Sequence, residues 1–250
     1  MGVFLATPTQ SDVLDALRQF LIEVLPDGVP VGAGLVNRVS EFSEDEFVLM
    51  TPMRQERLET NIDSPSDLAF TASIASTIMT VTAMDPRFPD ATIIPGLTIF
   101  GPGVGPSTKV VEQVTGPIGG IGTYRVSVNK NVPIATLSGS TKLVQRNTKF
   151  TIQLDFHGTT LSPASDMAAT VSTLFRDSYA YNSFANQGLG VVPLHADDPR
   201  LVPYVNENQQ VEMRWIVEAE LQTNQVVRVP VEYADAVSVE IISVDATYPP

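Results

Sequence analysis

Three observations in the sequence predict an α+β protein: an antiparallel or mixed sheet, two helices on one face of it, and a small inserted all-β domain. Two segments, near residues 12–25 and 162–178, carry apolar residues at helical spacing. Two others, 150–156 and 211–221, alternate apolar and polar residues as half-buried strands do. Between the helical segments, residues 70–140 are rich in Gly, Pro, Thr, Ile and Val and show no helical period. The order helix, strands, insert, strand, helix, strands assigns residues 1–68 and 142–250 to the main domain and 69–141 to the insert.

In the first helix, Val13, Leu14, Leu17, Phe20, Leu21, Val24 and Leu25 form one apolar stripe. Thr9 or Ser11 offers an N-cap, Asp12 suits the positive end of the helix dipole, and Pro26-Asp27-Gly28 stops the helix. Residues 47–51 read as a short buried strand and 53–60 as the next edge element, with Arg54, Gln55 and Glu56 exposed. In the insert, strand-like pieces at 78–83, 97–100, 109–114 and 124–128 are separated by Gly- and Pro-containing turns. The second helix is expected to be capped by Ser162, with Pro163 at its first position. Met167, Val171, Leu174, Phe175 and Ser178 would share its face, and Gly188 and Gly190 would end it. The last strands read as a meander: 211–221, a turn at Thr223-Asn224-Gln225, then 226–231 and 237–244. With nothing in it for covalent chemistry, this end of the chain reads as a surface for joining subunits.

Composition narrows the function classes. A hydrophobic fraction of 43% over 250 residues is ample for a core, and 17% charged is too low for a disordered chain. The absence of cysteine removes disulfides, thiolate zinc sites and cysteine nucleophiles, and suits synthesis in a reducing cytoplasm. No apolar run approaches the ~20 residues that span a bilayer, and the first residues lack a basic segment, so neither a membrane span nor a signal peptide is expected. The net charge of −13 argues against binding DNA through its phosphates. Lining a channel, the same charge would let a duplex slide without sticking; otherwise it serves solubility.

No motif here carries chemistry. The stretch GPGVGPSTK at 101–109 lacks the Gly-Lys-Ser/Thr order of a phosphate loop and runs into a β-branched segment, so it reads as a turn, as does 119–122. His157 and His195 have no ligand spacing between them; His157 is read on the face opposite Asp155, and His195-Ala196-Asp197-Asp198 as a turn with local capping. No catalytic, metal-binding or cofactor-binding residue is assigned, and no enzyme is expected. The cations Arg54, Arg57, Arg176, Arg200 and Arg214 are scarce in so acidic a chain, which makes them candidates for ion pairs between subunits. Tyr204 and Trp215 are candidate interface anchors, with core packing the other reading of Trp215. Tyr248, in the Tyr-Pro-Pro ending, suits an extended arm on an adjacent subunit.

One resemblance runs through these segments. The stretch ADDPRLVPYVNENQQVEMRW (196–215), with the strands after it and the YADA, VD and YPP pieces, resembles phage neck and tail terminator proteins. So do the first helix, FVLMTPMRQERLETNID (47–63) and TLFRDSYA (173–180); the likeness leaves out 70–141, which resembles a small β module found in phage structural proteins. The resemblance implies a virion protein assembled in the host cytoplasm. It would form a homo-oligomeric ring, a hexamer or alternatively a dodecameric collar on the portal side, with no cofactor. Its partners would be the tail tube protein, the head–tail connector or collar proteins and, if the tail is contractile, the sheath protein, with DNA passing through unbound and no membrane involved. A carbohydrate-binding module, with the insert as its ligand-binding part, is the reading from another class.

Overall fold

The computed structural model describes residues 5–34, 46–105, 107–158, 161–205 and 211–231. They fall into two compact units, one made of Phe4–Asp63 and Val144–Val227, the other of Ser64–Leu143 with the residues from Arg228 onward.

The first unit begins with helix α1 (Gln10–Val24). Its start is fixed by a capping box: the Thr9 hydroxyl accepts from the Asp12 amide at 3.2 Å, and the Asp12 carboxylate accepts from the Thr9 amide at 2.7 Å. Those hydrogen bonds from Thr9, the backbone one foremost, hold the Asp12 carboxyl below its ordinary range. Strand β1 (Val31–Ala33) pairs in parallel with β2 (Phe47–Arg57), which pairs antiparallel with the last part of β5 (Gly122–Gly158). Helices α2 (Leu161–Phe175) and α3 (Ser178–Gln187) follow, then β6 (Val191–Ala196), the two-residue strands β7 (Arg200–Leu201) and β8 (Tyr204–Val205), and β9 (Val211–Pro230). The strand order is β1-β2-β5-β9-β6, so the sheet is mixed, and β7 and β8 pair with β9.

Register explains the core. Val48 lies opposite Phe156 and Met50 opposite Leu154, so these side chains share one face with Phe150 and Ile152. Val217, Ala219 and Leu221 of β9 join them, and the buried stripes of all three helices close over this face. At the centre, Phe20 stacks on Phe184 at 5.5 Å, and Phe175 meets both rings edge-on. Such pairs add about 0.5–1.5 kcal/mol each beyond area burial.

Ser64–Leu143 has its own core, built on β3 (Ile62–Met84), β4 (Val110–Thr115) and the first part of β5. β3 and β4 both pair with β5. Along β3 the buried positions are Leu68, Ala69, Phe70, Ala72 and Ile74, then Met79 and Val81. The alternation changes phase where Ser76 takes φ +60°, its amide donating to Asn131 Oδ1 at 3.1 Å.

Several expectations from the sequence need correction. There are three helices among the described residues, because the second apolar stripe is broken after Phe175. The Arg176 and Asp177 amides bond back to Thr173 and Leu174, and the Asp177 carboxylate then caps α3 through the Tyr179 amide at 2.8 Å. Ser178 therefore opens a new helix, and α2 begins at Leu161, one residue before its expected cap. Thr223-Asn224-Gln225 is not a turn: Thr223 and Gln225 are buried in step with Leu221, and β9 continues to Pro230. The Gln225 amide accepts from the Thr148 hydroxyl and donates to the Pro8 carbonyl, both at 3.0 Å, so this polar side chain is satisfied inside a sheet. Residues 47–57 form one strand with a register shift between Pro52 and Arg54, and 97–100 contributes only isolated bridges. Asp155 and His157, two apart on β5, share a face and are both buried; the His157 ring stacks on Phe47 at 4.3 Å. The expected strand at 237–244 lies outside the described residues.

Three tests follow from this packing. Thr9→Ala removes the hydroxyl half of the capping box and should cost about 1 kcal/mol in urea unfolding. Because Asp12, Glu23 and Asp177 all have lowered carboxyl pKa values when folded, stability should be full above the unfolded carboxylate range. It should fall below about pH 4 as these groups protonate, and less steeply in Thr9→Ala. Gly116, at φ +97°, would place a new Cβ 2.1 Å from the Ile121 carbonyl oxygen. Gly116→Ala should therefore destabilise Ser64–Leu143 by about 2 kcal/mol or more, read by hydrogen exchange within that unit.

Candidate interaction surface

The sheet face opposite the helices is polar and internally paired. Asp155, 5% exposed, accepts from the Gln153 amide at 2.8 and 3.0 Å and lies 3.7 Å from the Arg214 guanidinium. Lys149 bridges Glu220 at 2.7 Å and Glu56 at 3.1 Å, contacts that raise the lysine pKa, Glu220 foremost. Arg200 reaches Glu218 at 2.6 Å.

A second surface lies on Ser64–Leu143, in the turn between β4 and β5. Gln113 donates to the carbonyls of Thr115 at 3.1 Å and Pro117 at 2.7 Å, and accepts from the Gly119 amide at 2.8 Å. Tyr124, buried, donates its hydroxyl to Gly120, and burial pushes its pKa up to about 12. This tied-down loop holds Ile118 at 96% exposure, with Val114 and Ile121 half in solvent beside it. Residues 113–124 contain no charged side chain.

On the outer side of α1 and α3, the Glu23 carboxylate accepts from the Tyr179 hydroxyl and the Ser183 hydroxyl, each at 2.6 Å. These bonds, Ser183 first, hold the Glu23 carboxyl below its ordinary range. Ile22 and Tyr179 are exposed beside it. The spacing of Tyr179 and Ser183, four apart, was readable as one helix face. Their meeting with Glu23, 156 and 160 residues away, was not. Nor does the sequence show that Gln113 ties down its loop.

The residues singled out from the sequence are dispersed. Arg54 is exposed and pairs with Glu56 at 3.2 Å. Arg57 is exposed near the end of β2, opposite Thr148, and its side chain makes no hydrogen bond or ion pair among the described residues. Arg176 donates Nε to the Ala196 carbonyl at 2.5 Å and approaches Asp198 at 3.3 Å, so its partner lies on another element. Trp215 is partly buried and packs against the core beside Arg214. Tyr204 lies in β8 opposite Glu212, and Tyr248 falls outside the described residues. His195 and Asp197 approach to 3.4 Å with both side chains about half exposed. No group of acidic, His or Cys residues among the described ones is arranged to hold a metal. No described helix is long and apolar enough to cross a membrane.

No curated protein matches the chain. A family model described as phage neck terminator protein matches residues 108–246, which run from β4 through the three-helix unit's last strand and beyond the described residues. The match starts inside the stretch 69–141 that the sequence set apart and leaves out α1 and residues 47–63. It spans more than half of the 250 residues, and β5, β6 and β9 of the sheet and the uncharged projecting loop lie within it. The chain belongs to the phage neck terminator family.

Proposed function

We propose that this structural phage neck protein closes the tail tube as a ring of six copies, joins the tube to the head connector or collar proteins, and leaves a channel through which DNA passes unbound. The single observation that carries this reading is the family match, which covers β4 to β9 and the projecting loop. A closed ring needs heterologous contacts that repeat around an axis, and such contacts also shield sheet edges. The net charge of −13 supports a channel wall that repels phosphate.

Within this reading, 69–141 acts as an inserted β domain. Its charge-free tip at Ile118 is the part best suited to an apolar site on a neighbouring neck or tail protein, since a preset loop loses little entropy on docking. Arg54 and Arg57 are the proposed interface cations. Arg176, Arg200 and Arg214 would act there while keeping the acidic partners they have within the chain.

Light scattering of the purified chain, alone and with isolated headless tails, tests this. The expected result is a species of six times the 27.0-kDa chain mass, formed alone or retained on tail ends. Twelve times that mass would move the ring to the portal side. A monomer that neither associates nor binds tails would overturn the proposal.

A further inference from the structure

We infer that Glu23 is a preset receptor for a guanidinium of a second copy of this chain, and that Arg57 supplies it. This rests on the ring reading and names one contact within it.

The receptor is built before any partner arrives. Tyr179 binds one carboxylate oxygen and Ser183 the other, which fixes the plane of the group while leaving lone pairs on both oxygens open to solvent. An arginine can meet two such oxygens with two parallel N–H bonds, and an ordered carboxylate loses less entropy in doing so. Exposed Tyr179 and Ile22 supply the aromatic and apolar surround found at the centre of strong interfaces. Glu23 makes no ion pair among the described residues, and it sits in the last turn of α1, where the helix dipole disfavours an anion. A cation would relieve both conditions.

Charge complementarity selects the donor. In the unit Phe4–Asp63 with Val144–Val227, Arg54, Lys149, Arg176, Arg200 and Arg214 all have acidic partners within the chain. Arg18 donates its Nε to the Val31 carbonyl, and Arg146 is only partly exposed, with its Nε buried. Arg57 is exposed and has neither kind of partner among the described residues.

Position then decides that the pair forms between copies. The Gln55 side chain bonds Gln10 at 2.7 Å, which sets the end of β2 beside the start of α1. Glu23 lies thirteen residues further along the same helix, about 20 Å away at 1.5 Å per residue. One chain cannot bring the two together. Because the two ends of α1 are different surfaces, a contact between one end and the opposite end of the next copy can be heterologous, the type that repeats into a ring.

The test is a charge exchange, read as the concentration dependence of native mass with thermal unfolding of each variant alongside. Arg57→Glu alters a side chain without partners, so it should leave the melting temperature unchanged while weakening self-association roughly tenfold or more. Glu23→Arg should weaken association similarly, with some loss of stability because it also removes the α1–α3 tie. The double variant should regain association, which loss of a structural tie could not produce. A ring unaffected by Arg57→Glu, or two weakened single variants without rescue in the double, would overturn this contact while leaving the ring reading standing. A wild-type chain that neither associates nor binds tails would overturn both.

Discussion

Strand β5 is the constraint on which the structure depends. Over 37 residues it supplies pairing partners to β2, β9, β3 and β4. Its last part places Phe150, Ile152, Leu154 and Phe156 on one face and Thr151, Gln153, Asp155 and His157 on the other. The first set gives the helices a surface to cover. The second creates a row of polar groups whose burial is tolerable only because Gln153, Arg214 and the Phe47 ring meet them. A one-residue slip in this strand would exchange the two sets and leave a buried carboxylate in the apolar core.

Charge is the second organising fact. A chain with 28 acidic and 15 basic residues can satisfy few of its carboxylates with cations. Many are instead held by hydroxyls and amides: Asp12 by Thr9, Glu23 by Tyr179 and Ser183, Asp177 by the Tyr179 amide. That leaves a surface whose excess anions repel phosphate and whose ordered carboxylates can receive a neighbour's arginine. In the proposed ring both properties would serve one task, joining protein to protein around a path for DNA.

Much of this was legible in the sequence, and the misses have physical causes. The first helix and its Thr9 cap were readable because stripe, cap and stop agree. The strand at 150–156 was readable because its alternation is clean. The break after Phe175 was missed because Asp177, the cap of α3, sits inside an apolar stripe that keeps helical phase across it. The continuous β9 was missed because Thr223 and Gln225 look like turn residues until both are seen buried, with Gln225 bonded to Thr148 and Pro8. The interaction surface was the least readable part. Glu23, Tyr179 and Ser183 are ordinary surface residues apart, and only the packing of α1 against α3 makes them a group. The arginines were found by scarcity alone, which cannot separate Arg57 from those already paired within the chain.

The most direct measurement is electron microscopy of particles from the phage carrying an early stop codon in this chain's gene, with and without the chain supplied in trans. If the chain closes the tail and joins it to the head, the lysate will hold filled heads and separate tails, and added chain will restore joined, infectious particles. Joined and infectious particles in its absence would contradict that role.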